Sequence, residues 1–211
     1  MKEAVVIVAH PDDESLWAGG YILSHPEYRW TIVSLTRKSD PDRALKFFRA
    51  LKCFDAQGDL ANLDDGPEQK PLALKHVQQT ILSLLQPGAY SLILTHSPQG
   101  EYTRHRRHEE TSRAVSTLWK AGLISAESLW MFAYQDAGGQ SLPAAVKDAH
   151  FRQALSTEIW QVKYRIITRV YGFSSESWEA RVTPRVEAFW CFNSPAELDG
   201  WWPVGLQLPG K

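Results

Sequence analysis

Apolar residues along this chain fall into short β-branched runs separated by segments that repeat every three to four positions, and that alternation predicts an α/β architecture. Ala4 to Ala9 (AVVIVA) is continuously apolar, as expected of a strand covered on both faces in the middle of a parallel sheet. A polar turn, HPDDES, leads into a helix predicted over 14–24 and stopped before Pro26, followed by a strand over 30–36 (WTIVSLT). Pro41 suits a helix N1 position, and Leu45, Phe48, Leu51 and Phe54 continue from it with helical spacing. Past the turn residues Gly58 and Asp64-Asp65-Gly66-Pro67, a helix over 71–85 carries Leu74, Val77, Ile81 and Leu84 on one face and ends at Pro87-Gly88. A strand over 90–95 (YSLILT), a helix over 107–119 and a buried strand over 128–134 (SLWMFAY) follow.

Strands alternating with helices in this order predict a single α/β domain, a Rossmann-like three-layer sandwich with a mostly parallel central sheet and right-handed crossovers. Such sheets take ligands beyond the carboxyl ends of their strands, so the residues just after each strand carry the functional interest. The later part is less regular. Leu155, Ile159, Val162, Ile166 and Val170 predict a helix over 150–171, VEAFWCF a strand over 186–192, and the stretch 195–211 reads as an irregular, aromatic tail that completes the core. The regular core is expected over about 1–170, with the irregular aromatic part at 171–211, and the chain shows no repeat, low-complexity tract or linker.

Composition narrows the class. With 211 residues, 44% apolar and 22% charged, the chain is an ordinary globular domain that can bury roughly 70% of its unfolded surface, so no metal or disulfide is needed merely to hold it together. A metal here would be functional. The balance of 23 basic against 24 acidic residues gives a net charge of -1, with no global field for nucleic acid or an anionic membrane, and no basic stripe with interleaved aromatics. The two cysteines, Cys53 and Cys191, fit neither a disulfide framework nor a zinc finger, so a cytoplasmic location is expected. No apolar stretch is long enough for a signal-peptide core or a membrane span. A homo-oligomer is compatible with the Trp-rich C-terminal part.

Two loops concentrate the chemistry. After the first strand, His10-Pro11-Asp12-Asp13-Glu14 packs one imidazole and three carboxylates into five residues, where a structural turn would need only a Pro, one capping Asp and a Gly. His10 and Asp13 are three apart across a tight turn and can point at one ion, while Asp12 between them can accept a proton from that ion's water. Taken alone, Asp12 or Asp13 could equally be a helix N-cap. After the strand at 90–95 comes His96, then GEYTRHRRHEE, which sets His105 and His108 on one face at a helix start. Zinc held by two histidines and a carboxylate, with an open fourth position, is a common hydrolytic plan, and His10, Asp13 and one of His105 or His108 would suffice. The bland alternative is a solvated helix face amid Arg104, Arg106, Arg107 and Arg113.

AHPDDE after a buried first strand, with GEYTRHRRH after a later one, resembles the PIG-L/LmbE family of zinc-dependent N-deacetylases, which remove acyl groups from N-acetylglucosamine and related amino sugars. The resemblance implies one zinc held by His10, Asp13 and His108, with Asp12 as general base and His105 assisting the developing oxyanion or the leaving amine. It also implies substrate-binding roles for Tyr102, for Arg43 near the start of the second helix, and for Asp65 in an L-x-D-G turn. This chain departs from the family pattern G-E-Y-G-H-P-D-H by one extra residue after the tyrosine and by Arg-Arg in place of Pro-Asp.

The chemistry so implied is hydrolysis of an amide, which needs an activated water, stabilisation of the carbonyl oxygen and a proton for the departing amine. The metal would supply the first, Asp12 would move the proton, and His105 in its cationic form would stabilise the oxyanion. The substrate is expected to be a small molecule or glycan, and the arginines from Arg104 to Arg113 favour an anionic one. A metal-dependent phosphoesterase is the leading enzymatic alternative, and a non-catalytic glycan-binding relative the alternative of another class. A nicotinamide dehydrogenase is disfavoured because the first strand-helix turn lacks G-x-G-x-x-G and carries negative charge where pyrophosphate must sit.

Overall fold

The computed structural model describes residues 2–102 and 104–202. In chain order the elements are β1 (Lys2–Val8), α1 (Asp13–Ser24), β2 (Tyr28–Ser34), α2 (Pro41–Cys53), β3 (Gln57–Leu60), α3 (Leu74–Leu84), β4 (Ala89–Thr95), α4 (Arg106–Lys120) and β5 (Ser125–Phe132). They are followed by β6 (Tyr134–Gln135), β7 (Ala144–Ala145), β8 (Phe151–Ala154), α5 (Thr157–Arg165), a π-helical turn (Ile166–Val170), α6 (Trp178–Val182), β9 (Val186–Phe192) and α7 (Pro195–Trp201). Seven strands form one sheet in the order β3-β2-β1-β4-β5-β9-β8, with β3 to β5 parallel and β9 antiparallel to both of its neighbours. The mostly parallel three-layer sandwich expected from the alternation is the one found.

β1 explains the layering. Ala4, Val6 and Val8 point into one apolar cluster with Trp17, Phe47, Ile166 and Phe189, while Val5 and Ile7 point into the other with Val77, Ile81, Val115 and Leu118. All five of these strand residues are fully buried, which is why the run reads as continuously apolar rather than alternating. Strand order reverses at β1, with β2 on one side and β4 on the other, so the crevice beyond the ends of β1 and β4 is the topological switch point of the sheet. The loops there are tied down. Thr95 Oγ1 donates to the Ile7 carbonyl at 2.8 Å, and Ser34 and Thr36 hydroxyls donate to the Ala9 carbonyl at 3.2 and 2.8 Å.

Three segments differ from the sequence expectation. β3 (QGDL) buries only Leu60 fully and carries no apolar alternation; it pairs through its backbone, and at Gly58 a Cβ would fall 1.8 Å from the Ile32 carbonyl oxygen, so the close approach to β2 requires glycine. The helix predicted over 150–171 begins instead at Thr157: Ser156 caps it by accepting the Ile159 N–H, and the four residues of β8 before it extend the sheet beside β9. The stretch from Pro195, expected to be irregular, forms α7 with Ser194 as its N-cap; Leu198 is buried and Trp201 packs against Trp190 and Phe192 with ring centroids 5.3 and 5.0 Å away. The remainder of that tail, 203–211, lies outside the described residues.

Candidate active site

Three ligand-type atoms converge at the switch point. His10 Nδ1 lies 3.2 Å from Asp13 Oδ2 and 3.2 Å from His108 Nε2, and His108 Nε2 lies 3.4 Å from Asp13 Oδ2. The edges of a zinc tetrahedron with bonds of about 2.0–2.2 Å are roughly 3.3–3.6 Å, so the trio has the size of one face of such a polyhedron. His10 follows β1, Asp13 opens α1, and His108 stands in the first turn of α4, so all three sit at the carboxyl edge of the sheet. Burial opposes a proton on His10, but Asp13 and Asp65 outweigh it and hold that ring up to about 9. Burial likewise opposes charge on Asp13, yet His108 and His96 hold its carboxyl well below the usual range. The cluster thus keeps its carboxylate buried only with a cation among its members, whether protons or a metal.

The far nitrogen of each imidazole is held by a carboxylate. Asp65 Oδ1 lies 3.2 Å from His10 Nε2, and Glu101 Oε2 lies 2.6 Å from His108 Nδ1. Each ring can therefore donate outward and turn a lone pair inward, which is the second layer that metal-binding histidines require. Glu101 Oε2 also meets His96 Nδ1 at 2.9 Å. Asp13, His96 and His108 form a further group with ligand atoms within 4.8 Å of one another, but His96 Nε2 already accepts the Ala9 N–H at 3.0 Å, so that lone pair is spent on fixing the β1 loop. Glu101→Gln is expected to weaken divalent-metal affinity about ten- to a hundredfold, as loss of such a partner usually does. Competition against a chelating dye measures it, and unchanged affinity would count against the assignment of Glu101.

Asp12 stands apart from its neighbour. Its backbone has φ 118°, a strained value for a residue other than glycine, and its side chain makes no helix-capping bond although it occupies the N-cap of α1. Instead Oδ2 accepts from Arg43 Nη1 at 2.7 Å. Burial and the adjacent Asp13 push the Asp12 carboxyl up to about 8, with Arg43 opposing. Arg43, in the first turn of α2, also lies over the Phe173 ring, so it reaches the site through Asp12. Glu14 is fully buried and engaged by Ser15 Oγ, Tyr171 OH and the Asp12 N–H, which makes it a structural carboxylate.

His105 is the N-cap residue of α4; its ring stacks on His108 with centroids 4.3 Å apart and meets His10 edge-on at 4.8 Å. Burial together with His108 and His10 pushes His105 down to about 3, a direction that opposes the cationic form expected from the sequence. Tyr102 packs between Trp178 and Trp17, with centroids 4.7 and 6.0 Å away. Asp65, expected to bind substrate, spends both oxygens on protein groups: Oδ1 on His10 and Gln69, Oδ2 on Arg37 Nε and Nη2 at 2.9 and 2.5 Å. These groups surround a cleft of about 600 Å³ whose wall includes Asp12, Arg43, Tyr102, His105, Trp178 and Glu179.

The arginines divide. Arg107 is 2% exposed and is consumed by Glu110, the Asp64 and Lys70 carbonyls and the Asp64 carboxylate, so its donors are spent on the protein. Arg104 is paired through two nitrogens with Glu109. Sequence reasoning assigned no role to His96, Glu101, Arg37 or Trp178. For the first two a signal was present, since they sit immediately after β4 and within the same loop as His105; Arg37 and Trp178 reach the site only through tertiary packing.

The PIG-L family, described as GlcNAc-PI de-N-acetylase, matches residues 5–119, more than half of the chain. An uncharacterized protein of Acanthamoeba polyphaga mimivirus is 23% identical over 148 residues, 63% of this chain and 62% of that relative, so the match spans less than two thirds of the relative's length. Among solved structures, the N,N'-diacetylchitobiose deacetylase of Pyrococcus horikoshii superposes with a TM-score of 0.71 at 14% identity, covering 97% of this chain and 88% of that one. A zinc-inhibited teicoplanin deacetylase gives a TM-score of 0.66 at 11% identity over 91% and 98%. The 4-carboxy-2-hydroxymuconate hydratase of Pseudomonas putida gives 0.63 at 16% over 90% and 96%, so the same fold is found with a different reaction. With the family match spanning both the AHPDDE loop and the loop that bears His105 and His108, this chain belongs to the PIG-L family.

Proposed function

We propose that the chain is a metal-dependent N-deacetylase that hydrolyses the N-acyl group, acetyl above all, of an amino sugar such as an N-acetylglucosamine derivative. The observation that carries this reading is the convergence of His10 Nδ1, Asp13 Oδ2 and His108 Nε2 within 3.2–3.4 Å of one another, beside an Asp12 carboxylate that caps no helix. Two neutral imidazoles and one carboxylate suit zinc or a similar borderline divalent ion. Bound there, such an ion would polarise the acyl carbonyl and bring the pKa of its water toward about 7.

The chain's own groups do the rest. In its ionised form Asp12 takes the proton of the attacking water and returns it to the departing nitrogen, so that water and amide become a carboxylic acid and a free amine. Arg43 keeps the Asp12 carboxylate oriented and tempers the cost of its burial. The neutral His105 offers a ring N–H toward the carbonyl oxygen as negative charge develops on it. Tyr102 and Trp178 form an aromatic wall along which the apolar face of a pyranose ring can lie. No helix among the described residues is long and apolar enough to cross a membrane.

The test is release of a primary amine from a panel of N-acylated amino sugars, set beside phosphate release from generic phosphoesters, each with and without chelator. Chelator-sensitive amine release is the expected result. Phosphate release without any amine would replace this reading by a phosphoesterase, and neither activity would leave a glycan-binding relative.

A further inference from the structure

Beside the catalytic cleft lies a second, larger cavity of about 960 Å³ between the start of α3 and the outer face of α4. It shares His105 and Gln69 with the catalytic cleft, so the two compartments meet at the His105 ring. Arg106, Glu109, Glu110 and Arg113 recur at helical spacing along its α4 wall, with Arg104 before them and Trp202 at the rim.

The charges in this wall do not cancel. Glu109 is taken by Arg104, and Glu110 by Arg107 Nη1 and the Leu72 N–H. Among the described residues neither Arg106 nor Arg113 has an ion-pair partner, so the wall keeps two unmatched guanidinium groups. Its hydrogen bonding is unmet as well. Of the six buried side-chain atoms without a partner among the described residues, four belong to residues of this one cavity: Gln69 Oε1, His105 Nδ1, Arg113 Nε and Trp202 Nε1. Trp202 is 8% exposed and Arg113 Nε is shielded from solvent, so bulk water does not satisfy them. Natural proteins leave few such atoms; of these four, Arg113 Nε and Trp202 Nε1 are obligate donors and call for an acceptor beyond the described residues.

We propose that this cavity is a subsite for an oxyanion, a phosphate or carboxylate carried by the substrate away from the reacting amide, held by Arg106 and Arg113 with the Trp202 N–H. The proposal rests on the deacetylase reading for what enters the neighbouring cleft. It specifies which arginines act: Arg106 and Arg113 rather than Arg104 and Arg107. A guanidinium is suited to this task because its fork of N–H donors matches the oxygens of either group.

The test uses binding, so it does not depend on turnover. The metal-loaded protein is titrated calorimetrically with glucosamine, glucosamine 1-phosphate, glucosamine 6-phosphate, muramic acid and inorganic phosphate. At least one phosphorylated or carboxylated sugar is expected to bind roughly ten- to a hundredfold more tightly than glucosamine, the usual effect of a charge-assisted hydrogen bond. That advantage should shrink in high salt and be lost in Arg106→Met and in the milder Arg113→Lys, whose fork is gone but whose charge and stem remain. Arg29→Met, on a distant exposed arginine, controls for net charge. Equal affinity for neutral and anionic sugars, or an advantage kept in the Arg106→Met/Arg113→Met double variant, overturns the proposal. If the advantage is present and arginine-dependent while no N-acetylated sugar releases amine, the subsite stands and the deacetylase reading falls.

Discussion

Asp12→Asn is expected to retain its metal and its ground-state affinity for substrate while kcat falls by about two to four orders of magnitude, the usual contribution of a positioned acid-base group. The substitution is close to isosteric, and asparagine tolerates a positive φ at least as well as aspartate, so the strained backbone at φ 118° survives it. What changes is the ability of Oδ2, now 2.7 Å from Arg43, to hold a proton between water and amine. Asp13→Asn should fail differently: its Oδ2 is the atom shared by both imidazoles, and a neutral amide oxygen is a poorer ligand, so metal affinity falls first. The pair is distinguished by metal analysis beside single-turnover kinetics. Near-normal turnover in Asp12→Asn, or loss of its metal, would mean that the roles are exchanged.

The second large effect concerns stability and lies away from the chemistry. Glu187 on β9 is fully buried, accepts the Gly20 and Tyr21 backbone N–H groups at 2.8 and 2.5 Å, and pairs with the equally buried Lys163 ammonium of α5 at 2.5 Å. One carboxylate thus ties the sheet to two helices. Gly20 leaves room for it, since a Cβ there would fall 3.0 Å from Glu187 Oε1 and 2.4 Å from Leu155 Cδ1. Glu187→Leu leaves Lys163 buried and alone, which costs about 3–5 kcal/mol, a large part of the roughly 5–15 kcal/mol that holds a domain folded. Burial already lowers the Lys163 pKa, with Glu187 opposing, so the variant lowers it further. A lysine with a depressed folded pKa binds fewer protons folded than unfolded, so the variant's stability should rise with pH until the unfolded value near 10.4 is passed. Urea unfolding at several pH values measures this, and adding Lys163→Met should recover part of the loss. A variant as stable as the parent would show that the pair is replaceable.

How legible these features were depends on what each residue answers to. β1, β2 and β4 are read from the chain because burial on both faces forces apolar runs, β5 and β9 because each carries a buried apolar stretch, and Pro41 marks α2 because its ring suits the first helical turn. β3 and β8 escape because QGDL and FRQA pair through backbone groups that leave little trace in side-chain pattern. The spacing from Leu155 to Val170 is helical over most of its length, but Ser156 sets the start and a π-helical turn carries the end. At the site, His10, Asp13 and His108 are brought together as expected, since each follows or opens an element at the switch point. Asp65 was matched to a substrate contact, and only the tertiary structure shows that it stands behind His10. Glu101, His96 and Arg37 act on other side chains rather than on an ion or a ligand, and no local spacing announces such a role.

Elemental analysis of the purified protein and its single variants tests the central claim, that His10, Asp13 and His108 together hold a catalytic divalent ion. One zinc or comparable ion per chain is expected in the parent and in Asp12→Asn, with little or none in His10→Ala, Asp13→Ala and His108→Ala, each of which should still unfold cooperatively because the ion is functional rather than structural. Full occupancy in all three alanine variants would contradict it.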